Sequence, residues 1–109
     1  MEEGRYLELA DRTFRAVEAA IDEAGADAID CERAGNVLTL TFKDDRRCVL
    51  NTQRPTRQLW LAADARAWHF RYDEQAAAWV DDRGKGEELF ATLAAIVKAH
   101  AGVDLRKPA

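Results

Sequence analysis

The chain has 109 residues, 48% hydrophobic and 33% charged, enough for one compact core and in keeping with a soluble globular protein. No apolar run approaches the ~20 residues needed to cross a bilayer, and the formal net charge of −4 argues against nucleic acid, whose phosphates call for clustered Lys and Arg. The two cysteines, Cys31 and Cys48, stand in no metal or redox spacing, so no disulfide framework is expected. The acidic start, Glu2 and Glu3, is unlike a signal or transit peptide, and cytoplasmic residence is the expectation.

The charge is unevenly spread. Residues 1–33 hold ten acids against four bases, a net of −6, whereas the remainder holds ten against twelve, a net of +2. The densest stretch carries Glu18, Asp22, Glu23, Asp27, Asp30 and Glu32 with no Lys or Arg before Arg33. Like charges four apart on a helix, such as Glu18 and Asp22, cost about 0.2–0.5 kcal/mol. A fold that keeps such a cluster either solvates it as an open face or holds it for a cation or a basic surface, and charge alone leaves both open.

In chain order, residues 3–24 read as an amphipathic helix. Tyr6, Ala10, Thr13, Phe14, Val17, Ile21 and Ala24 recur at three- and four-residue steps as one apolar stripe. Asp11, Glu18 and Asp22 form a second stripe that borders it, and Gly25 is a helix stop. From Ala26 the period becomes two: Ile29 and Cys31 face one way, Asp30 and Glu32 the other. Ala34-Gly35-Asn36 is a turn, and residues 37–42 form a half-buried antiparallel strand with Leu38, Leu40 and Phe42 inward.

Residues 43–47 read as a polar hairpin loop, 48–51 as a strand, and 52–57 as an irregular segment around Pro55. A strand at 58–62 with Leu59 and Leu61 inward puts Gln58 and Trp60 on the opposite face. Strands are expected at 68–72 and 78–81, with a loop at 82–86. A second amphipathic helix covers 87–101, with Leu89, Phe90, Leu93, Ile96 and Val97 inward and Glu87 and Glu88 at its positive end. The expected architecture is a single α+β domain over 1–109: a two-layer sandwich, with two helices on one face of a five- to six-stranded antiparallel sheet.

The runs Ala28-Ile29-Asp30-Cys31-Glu32, Asn36-Val37-Leu38-Thr39-Leu40-Thr41-Phe42, Asn51-Thr52-Gln53-Arg54-Pro55, Gln58-Leu59-Trp60-Leu61-Ala62, Trp68-His69-Phe70 and Trp79-Val80-Asp81-Asp82-Arg83 come in a specific order over nearly the whole chain. In that order and spacing the sequence resembles the bacterial, CyaY-type members of the frataxin family. The resemblance implies an iron-binding protein of iron–sulfur cluster assembly, working with a cysteine desulfurase and a scaffold protein. It implies weak, exchangeable binding of Fe²⁺ or Fe³⁺ on an acidic ridge matched here by Glu18, Asp22, Glu23, Asp27, Asp30 and Glu32, with Asp11 and Glu8 nearer the helix start. It also implies a partner surface matched by Trp60 with Asn51, Gln53 and Gln58. The protein is then mainly a monomer, with metal-driven oligomers allowed.

Three departures stand out: Ala19, Ala20 and Ala28 interrupt the acids, Lys43-Asp44-Asp45-Arg46-Arg47 replaces an Asn-Gly hairpin, and Arg66-Ala67 replaces a glycine pair. Carboxylate oxygens suit iron but discriminate poorly, so a shallow ridge should also take other cations. Cys31 and Cys48 read as buried, inert thiols, Trp68 and Trp79 as packing residues, and Gly84-Lys85-Gly86 as a turn. His69 reads as a surface strand residue or a secondary metal contact. An enzyme such as a ferroxidase would need a fixed centre, and no Glu-x-x-His pair is visible. A ridge that serves only to dock a basic partner, with metal incidental, is the other alternative.

Overall fold

The computed structural model of the chain describes residues 1–107, excepting the side chain of Ala26. Helix α1 spans Glu3–Gly25 and buries Tyr6, Ala10, Phe14, Val17, Ala20 and Ile21: Ala20 joins the expected stripe, while Thr13 and Ala24 sit at its margins, only partly buried. Gly25 closes it at φ 111°, a conformation that glycine adopts without strain. The alternation expected from Ala26 starts later, because Ala26–Ala28 forms a 3₁₀ turn and strand β1 covers Ile29–Ala34. Periodicity in so short a segment cannot separate a turn from a strand end.

Strands β2 (Val37–Phe42), β3 (Arg47–Gln53), β4 (Gln58–Ala63), β5 (Arg66–Asp73) and β6 (Ala78–Asp81) follow. They pair in chain order, β1-β2-β3-β4-β5-β6, every neighbour antiparallel. Thr52 and Gln53, expected in an irregular segment, belong to β3, where Thr52 pairs with Leu59 and Gln53 with Gln58. Only Arg54–Thr56 turns, and Arg57 takes a left-handed φ of 54° to re-enter the sheet. Helix α2 is Leu89–Ala101: Glu88 is its N-cap, accepting hydrogen bonds from the backbone N–H groups of Phe90 and Ala91, and Gly102 caps its end.

The inner face of the sheet contributes Leu38, Leu40, Phe42, Leu50, Leu59, Leu61, Trp68, Phe70 and Trp79 to one buried cluster with both helices. Two helices on one face of a six-stranded antiparallel sheet is the architecture expected. Its opposite face stays open, since Gln58, Trp60, Thr39, Val49 and His69 are all only partly buried. Buried polar atoms pin the layers together. The fully buried Tyr6 hydroxyl donates to the Gln58 carbonyl (2.6 Å) and accepts from the Gln53 N–H (3.1 Å), and Trp79 Nε1 donates to Thr13 Oγ1 (2.9 Å). No helix among the described residues is long and apolar enough to cross a membrane.

Candidate functional site

Glu18, Asp22 and Asp30 meet where α1 runs beside the edge strand β1, whereas Glu23 lines a separate pocket with Asp104 and Arg106. Asp22, Glu23, Asp27, Asp30 and Glu32 are exposed. None of the five makes an ion pair among the described residues. Between helix and strand runs an open groove of about 460 Å³ lined by Glu18, Ala19, Ile21, Asp22, Ile29, Asp30 and Cys31. Cys31 is half-buried; burial first, then the negative Glu18 and Asp30, push its thiol up to about 11. At neutral pH, without a metal, it is therefore a protonated thiol.

The other end of the ridge is closed. Arg33 Nη2 lies 2.8 Å from Asp11 Oδ1 and Nη1 3.8 Å from Glu18 Oε1, while Nε donates to the Gly35 carbonyl (3.0 Å). Its guanidinium sits 4.9 Å from the Phe14 ring centroid. Asp11 is shared with Arg15 (3.1 Å), and the hydrogen bond from Arg33 is the main reason its carboxyl is held below the usual range. Glu8 is paired with Arg12. Sequence reading placed Arg33 at the boundary of the cluster and missed that it folds back into it. The signal was present: Arg33 has the parity of Ile29 and Cys31, the side of β1 that meets α1.

Even the open acids are strung out. Among the described residues no group of three or more His, Cys, Asp or Glu side chains converges as a metal site. A hard cation here would be held by one or two carboxylates at a time, with water completing its shell.

The second candidate surface is ordered differently. The sheet register aligns Asn51, Trp60 and His69 across β3, β4 and β5, and Gln53 with Gln58 beside them. Trp60 stacks on His69 with centroids 4.2 Å apart and planes 16° from parallel. Its indole Nε1 donates to Gln58 Oε1 (2.8 Å), Gln58 Nε2 donates to Asp82 Oδ2 (3.0 Å), and His69 Nδ1 lies 3.8 Å from the same oxygen. Asn51 Nδ2 donates to the Thr52 carbonyl (3.1 Å). His69 and Asp82 are parts of this platform that sequence reading did not assign to it. Alternation puts His69 on the face of Trp60, but only the hairpin register makes them neighbours.

The remaining candidates are structural. Cys48 is buried, its thiol pushed up to about 12 chiefly by burial. Trp68 and Trp79 are in the core. Arg66-Ala67 is extended within β5, and the positive φ values fall one step earlier, at Asp64 and Ala65.

The small α+β sandwich thus presents two surfaces of different chemistry, exposed carboxylates around β1 and an aromatic–amide platform on β3–β5. Residues 1–103 match the model of the frataxin-like domain, and the chain belongs to that family. It is 43% identical over 109 residues to the iron–sulfur cluster assembly protein CyaY of Cupriavidus metallidurans, covering 96% of this chain and 95% of the relative. With the protein of the same name from Ralstonia nicotianae it shares 44% over 107 residues, 94% and 91% of the two chains. The solved frataxin of Psychromonas ingrahamii superposes with a TM-score of 0.88 at 30% identity, covering 96% of each chain. Trimeric frataxin of Saccharomyces cerevisiae, solved "complexed with ferrous", gives a TM-score of 0.69 at 28% identity over 94% of this chain and 88% of that one. The family therefore includes proteins named for iron–sulfur cluster assembly.

Proposed function

We propose that this protein works in iron–sulfur cluster assembly as a weak, exchangeable binder of Fe²⁺ or Fe³⁺, regulating or supplying a cytoplasmic complex of cysteine desulfurase and scaffold protein. The observation that carries the reading is the set Asp22, Glu23, Asp27, Asp30 and Glu32, exposed around the α1–β1 junction and without an ion pair among the described residues, while Asp11 and Glu18 are occupied by Arg33. Iron enters as cargo. It takes carboxylate oxygens at Asp22, Asp27 and Asp30 with water in the remaining positions, and leaves easily because no closed cage forms around it. The Trp60 platform, with Asn51, Gln53 and Gln58, is the docking surface of the same reading. A half-buried aromatic flanked by amides and already stacked is a good hot-spot composition.

The test is anaerobic titration of the protein with ferrous salt, followed by calorimetry and backbone NMR. Signals near Asp22, Asp27 and Asp30 should shift while α2 stays still, and the triple variant Asp22→Asn, Asp27→Asn, Asp30→Asn should lose the response. A heatless titration in which no ridge signal moves overturns the reading. A second reading, in which the ridge docks a basic partner and metal is incidental, is favoured by the absence of a convergent ligand set among the described residues. Desulfurase binding that is the same with and without chelator would select it.

A further inference from the structure

Basic residues near α1 are largely neutralised at home: Arg5 by Glu74, Arg12 by Glu8, Arg15 and Arg33 by Asp11, Arg54 and Arg57 by Glu3. The corner formed by the start of β5 and the loop after β6 differs. A cleft of about 200 Å³ between the start of β5 and the loop joining β6 to α2 is lined by Arg66, Arg83 and Lys85, with Trp68, Asp81 and Glu87. None of these three cations has a carboxylate within ion-pair distance among the described residues, although two carboxylates share the cleft. Those two are otherwise engaged. The buried Asp81 accepts the Lys85 N–H (3.3 Å), and Glu87 Oε2 accepts the indole N–H of Trp68 (3.1 Å). The Arg66 guanidinium lies 4.6 Å from the Trp68 ring centroid, and Arg83 Nη2 donates to the Ala67 carbonyl (3.4 Å). Both guanidinium groups are thus partly fixed before any ligand arrives, which lowers the entropy cost of using them.

We propose that this cleft docks an acidic polypeptide segment of a partner protein, whose Asp and Glu side chains pair with Arg66, Arg83 and Lys85. The chemistry favours separate carboxylates over one compact polyanion. Asp81 and Glu87 lie among the lining residues, so a phosphate-like ion seated between the cations would also face them, whereas side chains spaced along an extended segment reach each cation singly. A nucleic acid is disfavoured by the net charge of −4. The surface is distinct from the carboxylate edge on β1, since β1 and β6 are opposite edges of the sheet.

The probe is a blocked decapeptide of alternating Asp and Glu, titrated at low ionic strength into the isotope-labelled full chain. Saturable shifts are expected at the amides of 66–68 and 83–87 and at the Trp68 indole N–H, fading as salt is raised. The variant Arg66→Gln, Arg83→Gln, Lys85→Gln should weaken binding about tenfold or more, while Arg66→Lys, Arg83→Lys, which keeps the charge but loses the fixed guanidinium groups, should weaken it by a smaller factor, about threefold. Exposed residues without ion pairs leave both variants folded, and the Trp68 indole signal checks this. The proposal is overturned if the shifts map elsewhere or the Gln variant binds as the parent does. It is equally overturned if inorganic phosphate or a DNA duplex at matched ionic strength gives the stronger response at the same residues.

Discussion

The carboxylates of α1, the turn after it and β1, and the Trp60 platform of β3–β5, are built on opposite principles. In the first, five exposed acids point into water with nothing holding them, and repulsion keeps them apart. On the platform Trp60, Gln58 and Asn51 each donate a side-chain hydrogen bond within the chain, and the indole rests on an imidazole 4.2 Å away. A loose set of ligands binds weakly and releases. A preorganised aromatic surface loses little entropy on docking and can hold a partner. Under the proposed function, cargo and recognition make different demands on side-chain order, and the two surfaces that would meet them are built apart, around β1 and on β3–β5.

That contrast can be broken or sharpened by substitution. Trp60→Ala should produce the largest effect, weakening binding to the desulfurase–scaffold complex by about 2–4 kcal/mol while leaving the ferrous titration unchanged. If iron binding falls with it, the two surfaces are not separate. His69→Ala removes the stack beneath the indole and should cost about 0.5–1.5 kcal/mol in the same binding measurement. An effect equal to that of Trp60→Ala would make His69 a direct contact.

Removing the edge acids should act in the other direction on stability. Asp22→Asn with Asp30→Asn should abolish the metal response yet raise chemical-denaturation stability by a few tenths of a kcal/mol, as repulsion is relieved. A clear loss of stability would mean the acids hold the fold. Arg33→Gln frees Glu18 and leaves Asp11 to Arg15 alone, so iron-induced NMR shifts should spread toward Glu18 and affinity should rise a few-fold. Shifts still confined to 22–32 would show that Arg33 is not the barrier.

The smallest effect at working pH concerns Cys48. Burial raises its folded-state pKa from the ordinary 9.0 to about 12. For a raised pKa, stability is intact below the unfolded value and is lost as pH climbs from about 9 toward 12. Alkylation of Cys48 in the native protein, resolved from the half-buried Cys31 by peptide mapping, should therefore be negligible at neutral pH and complete after unfolding. Rapid labelling of Cys48 in the native chain at neutral pH would contradict the burial.

The elements whose pattern is local were legible in the residues themselves. The apolar stripe of α1, the alternation Leu38-Leu40-Phe42, the outward Trp60 and the inward face of α2 each follow from a period of 3.6 or 2 imposed by water on one side and the core on the other. Boundaries were less legible: Thr52 and Gln53 read as irregular beside Pro55, and only their pairing with Leu59 and Gln58 makes them strand.

What tertiary structure alone decided is which polar groups meet. Arg33 reaches Asp11, 22 residues earlier, His69 stacks under Trp60, and Arg66 joins Arg83 and Lys85 around one cleft. Periodicity reports which side of an element a residue occupies, because burial is a property of one segment against solvent. Pairing is a property of two segments at once, and it exists only after the chain has closed on itself.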